Sequence, residues 1–201
     1  MLQYQGKPIM EYWKLRGIAK QIRNGVLPKG VDQNTAFEAL KLTRPKNALE
    51  MFGFLSAKIE KTDGTPVQDL GLVSCKKVTL AFAKRLVDAL CTSGDVLDNF
   101  NQHKQGSASG AEASGDAALG LAQSGAQGVT GNAAATHGAG SVIYITVGTL
   151  TASTAYEIRE HGVFNASTGG ILLDRSLVTA IAVNTDDVVT WTYSLVVGSE
   201  T

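Results

Sequence analysis

Two cysteines in 201 residues leave little from which to build a redox or metal centre. Cys75 and Cys91 fit neither a CxxC pair nor a Cys/His ligand spacing, and both are expected to be free buried thiols. His103, His137 and His161 lie far apart, with no HExxH pattern and no i, i+4 pair between them. No P-loop or GxSxG occurs, and His137-Gly138-Ala139-Gly140 lacks the spacing of a dinucleotide fingerprint. No residue pair sets a nucleophile beside a base, so neither an enzyme nor a cofactor is expected. Apolar runs fall short of the roughly 18 residues that span a bilayer, and the Met1-Leu2-Gln3-Tyr4 start has no apolar signal core. No membrane partner is expected, and the cytoplasm is the expected place of synthesis.

What is present is β-pattern. Val142 to Val147 is rich in β-branched and aromatic residues, and Ala155 to Phe164 alternates charged and apolar side chains. Asn165 to Gly170 breaks the run, Ile171 to Leu177 resumes it, and Asn184 to Asp187 makes a turn before Val188 to Val197. Short strands at regular spacing between Gly/Asn/Asp turns mark a sandwich or barrel, here read as one meander from Ser141 to Thr201. Trp191 and Tyr193 share one face of the last strand and belong to a core, not to a base-stacking platform, so nucleic acid is not an expected partner.

Upstream, Glu11 to Ile22 and Thr35 to Leu42 read as helices, the second stopped at Arg44-Pro45. Ala48 to Glu60 fits helix or strand equally. Leu72 to Val78 reads as a strand, and Thr79 as the N-cap of a helix from Leu80 to Cys91, with Leu80, Ala83, Leu86, Val87 and Leu90 on its inner face. Asp98 to Lys104 suits a strand with Phe100 inward. Between 106 and 140, 24 of 35 residues are Gly, Ala or Ser. That composition reads as a disordered linker or as a loose excursion anchored by Ala118-Leu119 and Val129-Thr130. The expected fold is mainly β: an antiparallel, jelly-roll-like β-sandwich over residues 71–201, with one packed helix and the excursion at 106–140. Residues 1–70 form a basic, partly helical, extended N-terminal arm.

Charge is zero overall but unevenly placed. Residues 1–105 carry 16 Lys/Arg and 10 Asp/Glu (+6), and residues 106–201 carry 2 and 8 (−6). Such asymmetry points to an N-terminal segment that meets an acidic surface, a neighbouring copy included. Alternation on Ala155 to Phe164 sets Glu157, Arg159 and His161 on one face, as a polar network and not a metal site. Asp186-Asp187 lacks the ordered oxygens of a calcium loop and is read as turn chemistry.

Six stretches carry a resemblance. Val73 to Leu90 (VSCKKVTLAFAKRLVDAL) leads into Asn101 to Ser107 and Ala111 to Leu119 (AEASGDAAL). Glu157 to Ala166 (EIREHGVFNA) and Thr168 to Ser176 (TGGILLDRS) follow, and Ala180 to Tyr193 closes the chain's last hairpin. In order and spacing, residues 70–198 resemble structural proteins of tailed-bacteriophage virions. The resemblance implies a non-enzymatic virion component, assembled in the host bacterial cytoplasm. Its partners would be the major capsid protein or other virion proteins, and sister copies in a homo-oligomer.

A capsid decoration (cement) protein is the leading expectation. Its grip would come from Tyr4, Tyr12, Trp13 and Leu15 burying apolar area, with Lys7, Lys14, Arg16, Lys20 and Arg23 steering to acidic patches. A tail or fibre component is the alternative, and a host-glycan module using Tyr144 or Tyr156 is a third.

Overall fold

A computed structural model of the chain describes residues 3–4, 7–43, 50–91, 99–122, 129–138 and 141–198. Its elements are β1 (Gln3–Tyr4), β2 (Lys7–Pro8), α1 (Ile9–Arg23), α2 (Gln33–Leu42), β3 (Glu50–Glu60), β4 (Gln68–Lys77) and α3 (Leu80–Cys91). There follow β5 (Gln102–Gly106), β6 (Val129–Thr130), β7 (Asn132–Gly138), β8 (Ser141–Thr151), β9 (Tyr156–Phe164), β10 (Leu172–Val183) and β11 (Val188–Gly198). Beyond the small β1–β2 hairpin, the strands form two antiparallel sheets, ordered β4-β3-β11-β8-β7 and β10-β9-β5-β6. The fold is a β-sandwich.

The sandwich core follows the period-2 pattern. Leu55, Ala57 and Ile59 on β3, and Val189, Trp191, Tyr193 and Leu195 on β11, face Ile158, Val163, Leu173, Ile181 and Val183 of the other sheet. The even positions of β3 and β11, Phe52, Phe54 and Val196, face the opposite way and are also buried, beneath Leu15, Ile18, Ala19 and Ile22 of α1 and Ala36, Ala39 and Leu40 of α2. The molecule therefore has three layers: a helical pair, the five-stranded sheet and the four-stranded sheet.

Two expectations fall here. The first 70 residues are not an extended arm, because α1 and α2 lie on the sheet and β3 is hydrogen-bonded between β4 and β11. No boundary falls at residue 70. Nor is Ser141 to Thr201 one meander. β8 pairs with β7 and β11, and β9 with β5 and β10, so the chain changes sheets after β8 and again after β10. Period-2 patterning identifies a strand's faces but not its neighbours.

Local signals set the element ends. Gly25, at φ 80°, closes α1: its N–H donates to Ile22 and that of Val26 to Gln21, a Schellman arrangement. Asp32 caps α2 by accepting from the Thr35 N–H at 2.7 Å, and the Thr79 hydroxyl accepts from the Phe82 N–H at the start of α3. α3 has the expected limits but not the expected inner face. Leu80 and Val87 are 49% and 56% exposed, and the helix is pinned by Phe82, packed edge-on against Phe100 at 5.1 Å. Leu90 and Cys91 have side chains outside those described, whereas Cys75 is a free buried thiol as expected. The strand expected from Asp98 begins at Gln102, with Phe100 buried as read.

Candidate functional site

Helix α1 has two faces. Leu15, Ile18, Ala19 and Ile22, spaced 3, 1 and 3, are buried on the sheet. Met10, Trp13, Lys14, Gly17, Lys20 and Gln21 form the opposite stripe and are exposed, Met10 by 82% and Trp13 by 56%. Arg16 lies over the Trp13 ring at 5.1 Å, and Tyr12 meets the same ring edge-on at 5.6 Å. The nine residues assigned to partner binding therefore divide. Trp13, Lys14, Arg16 and Lys20 share an exposed surface, with half-buried Tyr12 at its margin. Leu15 is 6% exposed and belongs to the helix–sheet core. Arg23 is turned inward and donates to the Thr43 hydroxyl at 2.8 Å and the Leu40 carbonyl at 3.3 Å. Tyr4 and Lys7 have backbone in β1 and β2, and their side chains lie outside those described. Met10, absent from the expected set, is the most exposed large apolar side chain among the described residues. Its i−3 spacing from Trp13 was the available signal.

Histidines far apart in sequence meet in the core. His103 Nδ1 lies 3.0 Å from His161 Nε2, and His103 Nε2 lies 3.1 Å from the Thr146 hydroxyl. His161 stacks on Trp191 at 4.6 Å, the Trp191 indole N–H donates to Gln105 at 3.0 Å, and the Gln105 amide donates to the Tyr156 hydroxyl. Room for His103 comes from glycine: a Cβ on Gly148 would sit 2.5 Å from its ring. Burial pushes His103 down to about 4 and, with the His103 charge second, holds His161 well below the usual imidazole range. The pair is neutral and structural. The expected grouping of His161 with Glu157 and Arg159 fails because register shifts in the β9–β10 ladder reverse the alternation between Ile158 and His161.

Parts of three stretches behind the resemblance, 111–119, 157–166 and 168–176, meet on the outer face of the four-stranded sheet. Buried Glu160 accepts from Arg175 Nε at 2.8 Å and from the N–H groups of Leu121, Gly120 and Ala108 at 2.8, 3.0 and 3.3 Å. Arg175 also binds Asp116 at 3.0 Å and the Gly110 and Ala111 carbonyls. Glu112 accepts from the Leu177 N–H and pairs with Lys76 at 2.7 Å. Leu119 lies over Gly162. Residues 107–122 are thus clasped on the sheet and are not a free linker. Their bonds to the Glu160 carboxylate and the Arg175 guanidinium supply the holding energy that Gly, Ala and Ser side chains lack. Residues 123–128 of the tract lie outside the described ones, and Val129 reaches the core as the expected anchor.

At the rim of this clasp a cavity of about 180 Å³ is lined by Lys76, Glu112, Asp174 and Arg175, among others. Burial, then the Glu112 charge, pushes the Asp174 carboxyl up to about 7, against the hydrogen bond from the Ser176 hydroxyl at 3.2 Å, the Lys76 charge and the Arg175 N–H. Asp187, read as turn chemistry, ties the sandwich end together. It accepts from Lys61 and from the Thr62 and Asn184 N–H groups at 2.8 to 2.9 Å, bonds that hold it well below the usual carboxylate range.

These contacts leave few acids of the C-terminal half on the surface. Glu112, Asp116, Glu157, Glu160 and Asp187 are ion-paired and Asp174 is buried, while Asp186 is exposed and Glu200 lies outside the described residues. By contrast Lys14, Arg16, Lys20, Lys29 and Lys41 are all exposed. The glycan platform has no support: Tyr144 and Tyr156 are half-buried, and their hydroxyls bond the Phe100 carbonyl and Gln105. Among the described residues, no three His, Cys, Asp or Glu side chains cluster to hold a metal, and no helix is long and apolar enough to cross a membrane. The chain matches no family model, no curated protein and no solved structure.

Proposed function

We propose that this chain is a non-enzymatic structural protein of a tailed-phage particle, attached to the capsid surface as a decoration protein through the outward face of α1. One observation carries the attachment: Met10 and Trp13 are exposed beside Lys14, Arg16 and Lys20 on a helix whose other face is fixed to the sheet. Exposed aromatic and apolar anchors ringed by cations are the make-up of a binding patch. The complementary surface is acidic with an apolar recess. The C-terminal half of a sister copy is a poor match, since its acids are mostly engaged internally. The virion setting is drawn from the resemblance of residues 70–198.

Deleting the first 30 residues is the wrong test, because it would strip the cover from Phe52, Phe54 and Val196. Surface substitutions are the right one. Trp13→Ala with Lys14→Glu and Lys20→Glu is expected to abolish co-sedimentation with particles of the encoding phage that lack this protein, while the melting temperature stays unchanged. Wild-type copy number is expected to match the capsid lattice; the low count of a tail part, or full binding by the triple variant, would refute the reading.

A further inference from the structure

Among the described residues the five-stranded sheet ends on β7, and β7 differs from the other three edges of the two sheets. β4 has two register shifts, carries Asp69, Lys76 and Lys77, and packs against β10. β10 has two register shifts of its own, and β6 is two residues long. Such bulges, charges and short lengths blunt an edge against further pairing. β7 has none of them: it pairs with β8 over all seven residues without a shift and contains no Asp, Glu, Lys or Arg. Asn132 to Ala135 are exposed.

The flanks of this edge are thinly covered. Ala133 and Ala135 are in register with Thr146 and Tyr144, whose side faces the second sheet, yet both are exposed, since β6 is too short to reach over them. On the opposite side, Ala134 continues a row with Ile143, Ile145 and Val147, all half-buried. Alternate residues of the strand turn their N–H and C=O groups away from β8.

We propose that β7 pairs antiparallel with β7 of a second copy across a two-fold axis, joining two five-stranded sheets into one of ten strands. A second copy is the fitting occupant because the strand is self-complementary. Centred on Ala135, the two-fold sets Ala135 against its own counterpart and Ala133 against position 137, and no like charges meet along it. Helix α1 contacts β4, at the far edge of the same sheet, so this pairing leaves the α1 stripe uncovered. The inference goes beyond the attachment reading and does not rest on it. Seven residues of edge fall short of the roughly 800 Å² per partner of a standard interface. The dimer is therefore weak in dilute solution and fills at concentrations on the order of 1 mM.

Two measurements on the full chain test it. Sedimentation velocity up to on the order of 1 mM should show the wild-type monomer giving way to dimer, while Ala135→Lys stays monomeric with an unchanged melting temperature. In a Cys91→Ser background, Ala135→Cys should oxidise to a disulfide-linked dimer, because paired Cα atoms of a ladder lie within disulfide reach. Ala134→Cys, projecting from the other face and not meeting its own copy in this register, should not. A wild type that remains monomeric at that concentration overturns the proposal. So does a dimer that survives Ala135→Lys, or cross-linking as rapid at 134 as at 135.

Discussion

Asp174 and the His103–His161 pair are buried titratable groups that pull stability in opposite directions as pH changes. Asp174 has its folded pKa raised to about 7. Its unfolded carboxyl ionises near 3.9, so stability is greatest below that value and is lost as pH rises from about 4 through about 7. The loss has a ceiling on the order of 4 kcal/mol at 1.36 kcal/mol per unit. Asp174→Asn should therefore raise the urea midpoint at pH 8 and change it little at pH 4. An equal gain at both values would show that ionisation is not the cause. His103, lowered to about 4, has the reverse sign. The unfolded imidazole takes up a proton below about 6.5 and the folded one does not, so stability falls between roughly 6.5 and 4. In the Asp174→Asn protein that acid limb should remain, with His103 contributing roughly 3 kcal/mol at most, His161 adding to it, and the lowered carboxyls of Asp187 and Glu160 joining only toward its acid end. A flat profile over that interval would contradict a neutral buried pair.

Glycine beside these groups gives a second contrast at the same scale. Gly148→Ala drives a Cβ into the His103 ring and is expected to cost about 1–3 kcal/mol. Gly17→Ala, in the middle of α1 with nothing within 4 Å of its new methyl, should stabilise by roughly 0.5–1 kcal/mol. Thermal melts of the two single variants check the signs. Neither glycine nor the histidine pair was readable from spacing: His103 and His161 are 58 positions apart and meet only because β5 pairs with β9.

At the scale of elements, what was legible followed local chemistry. The Thr79 cap fixed the start of α3, and the Leu15, Ile18, Ile22 stripe fixed α1. β3 stayed ambiguous for a physical reason: Phe52 and Phe54 are buried under helices and Leu55 and Ala57 under the second sheet, so burial on both faces erases the alternation that marks a strand. The excursion at 107–122 was illegible because its order comes from Glu160 and Arg175, remote in sequence. Breaking a buried ion pair by removing one partner costs about 3–5 kcal/mol. Glu160→Gln leaves Arg175 its Asp116 partner, so it should destabilise by less than that and open 107–122 to proteolysis ahead of global unfolding. Cleavage only in step with global unfolding would show that the clasp is not what orders the segment.

At the scale of the molecule, the charge contrast between the halves is not a contrast between two surfaces. Most acids of residues 106–201 are spent on ion pairs or buried, while Lys14, Arg16 and Lys20 of α1 and Lys41 of α2 remain exposed, so what survives of the contrast at the surface is the basic helical layer. The partner-binding residues were legible as a basic aromatic segment. Which of them reach solvent was decided by the sheet beneath α1, where Leu15 and Arg23 are used.

That same sheet makes the N-terminal 43 residues part of the folding unit. α1 and α2 cover Phe52, Phe54, Cys75 and Val196, and β3 lies between β4 and β11. Unfolding should then be a single cooperative transition. In a Trp13→Phe protein, Trp191 is the one remaining tryptophan and reports the sandwich core, while far-UV circular dichroism at helical wavelengths reports α1 to α3. The two probes should give coincident urea midpoints, and removing residues 1–43 should yield a chain that binds a hydrophobic dye and aggregates. A helical transition that precedes the Trp191 change, or a soluble and cooperatively folding 44–201 fragment, would mean that the helical layer is an attachment to the sandwich and not part of its core.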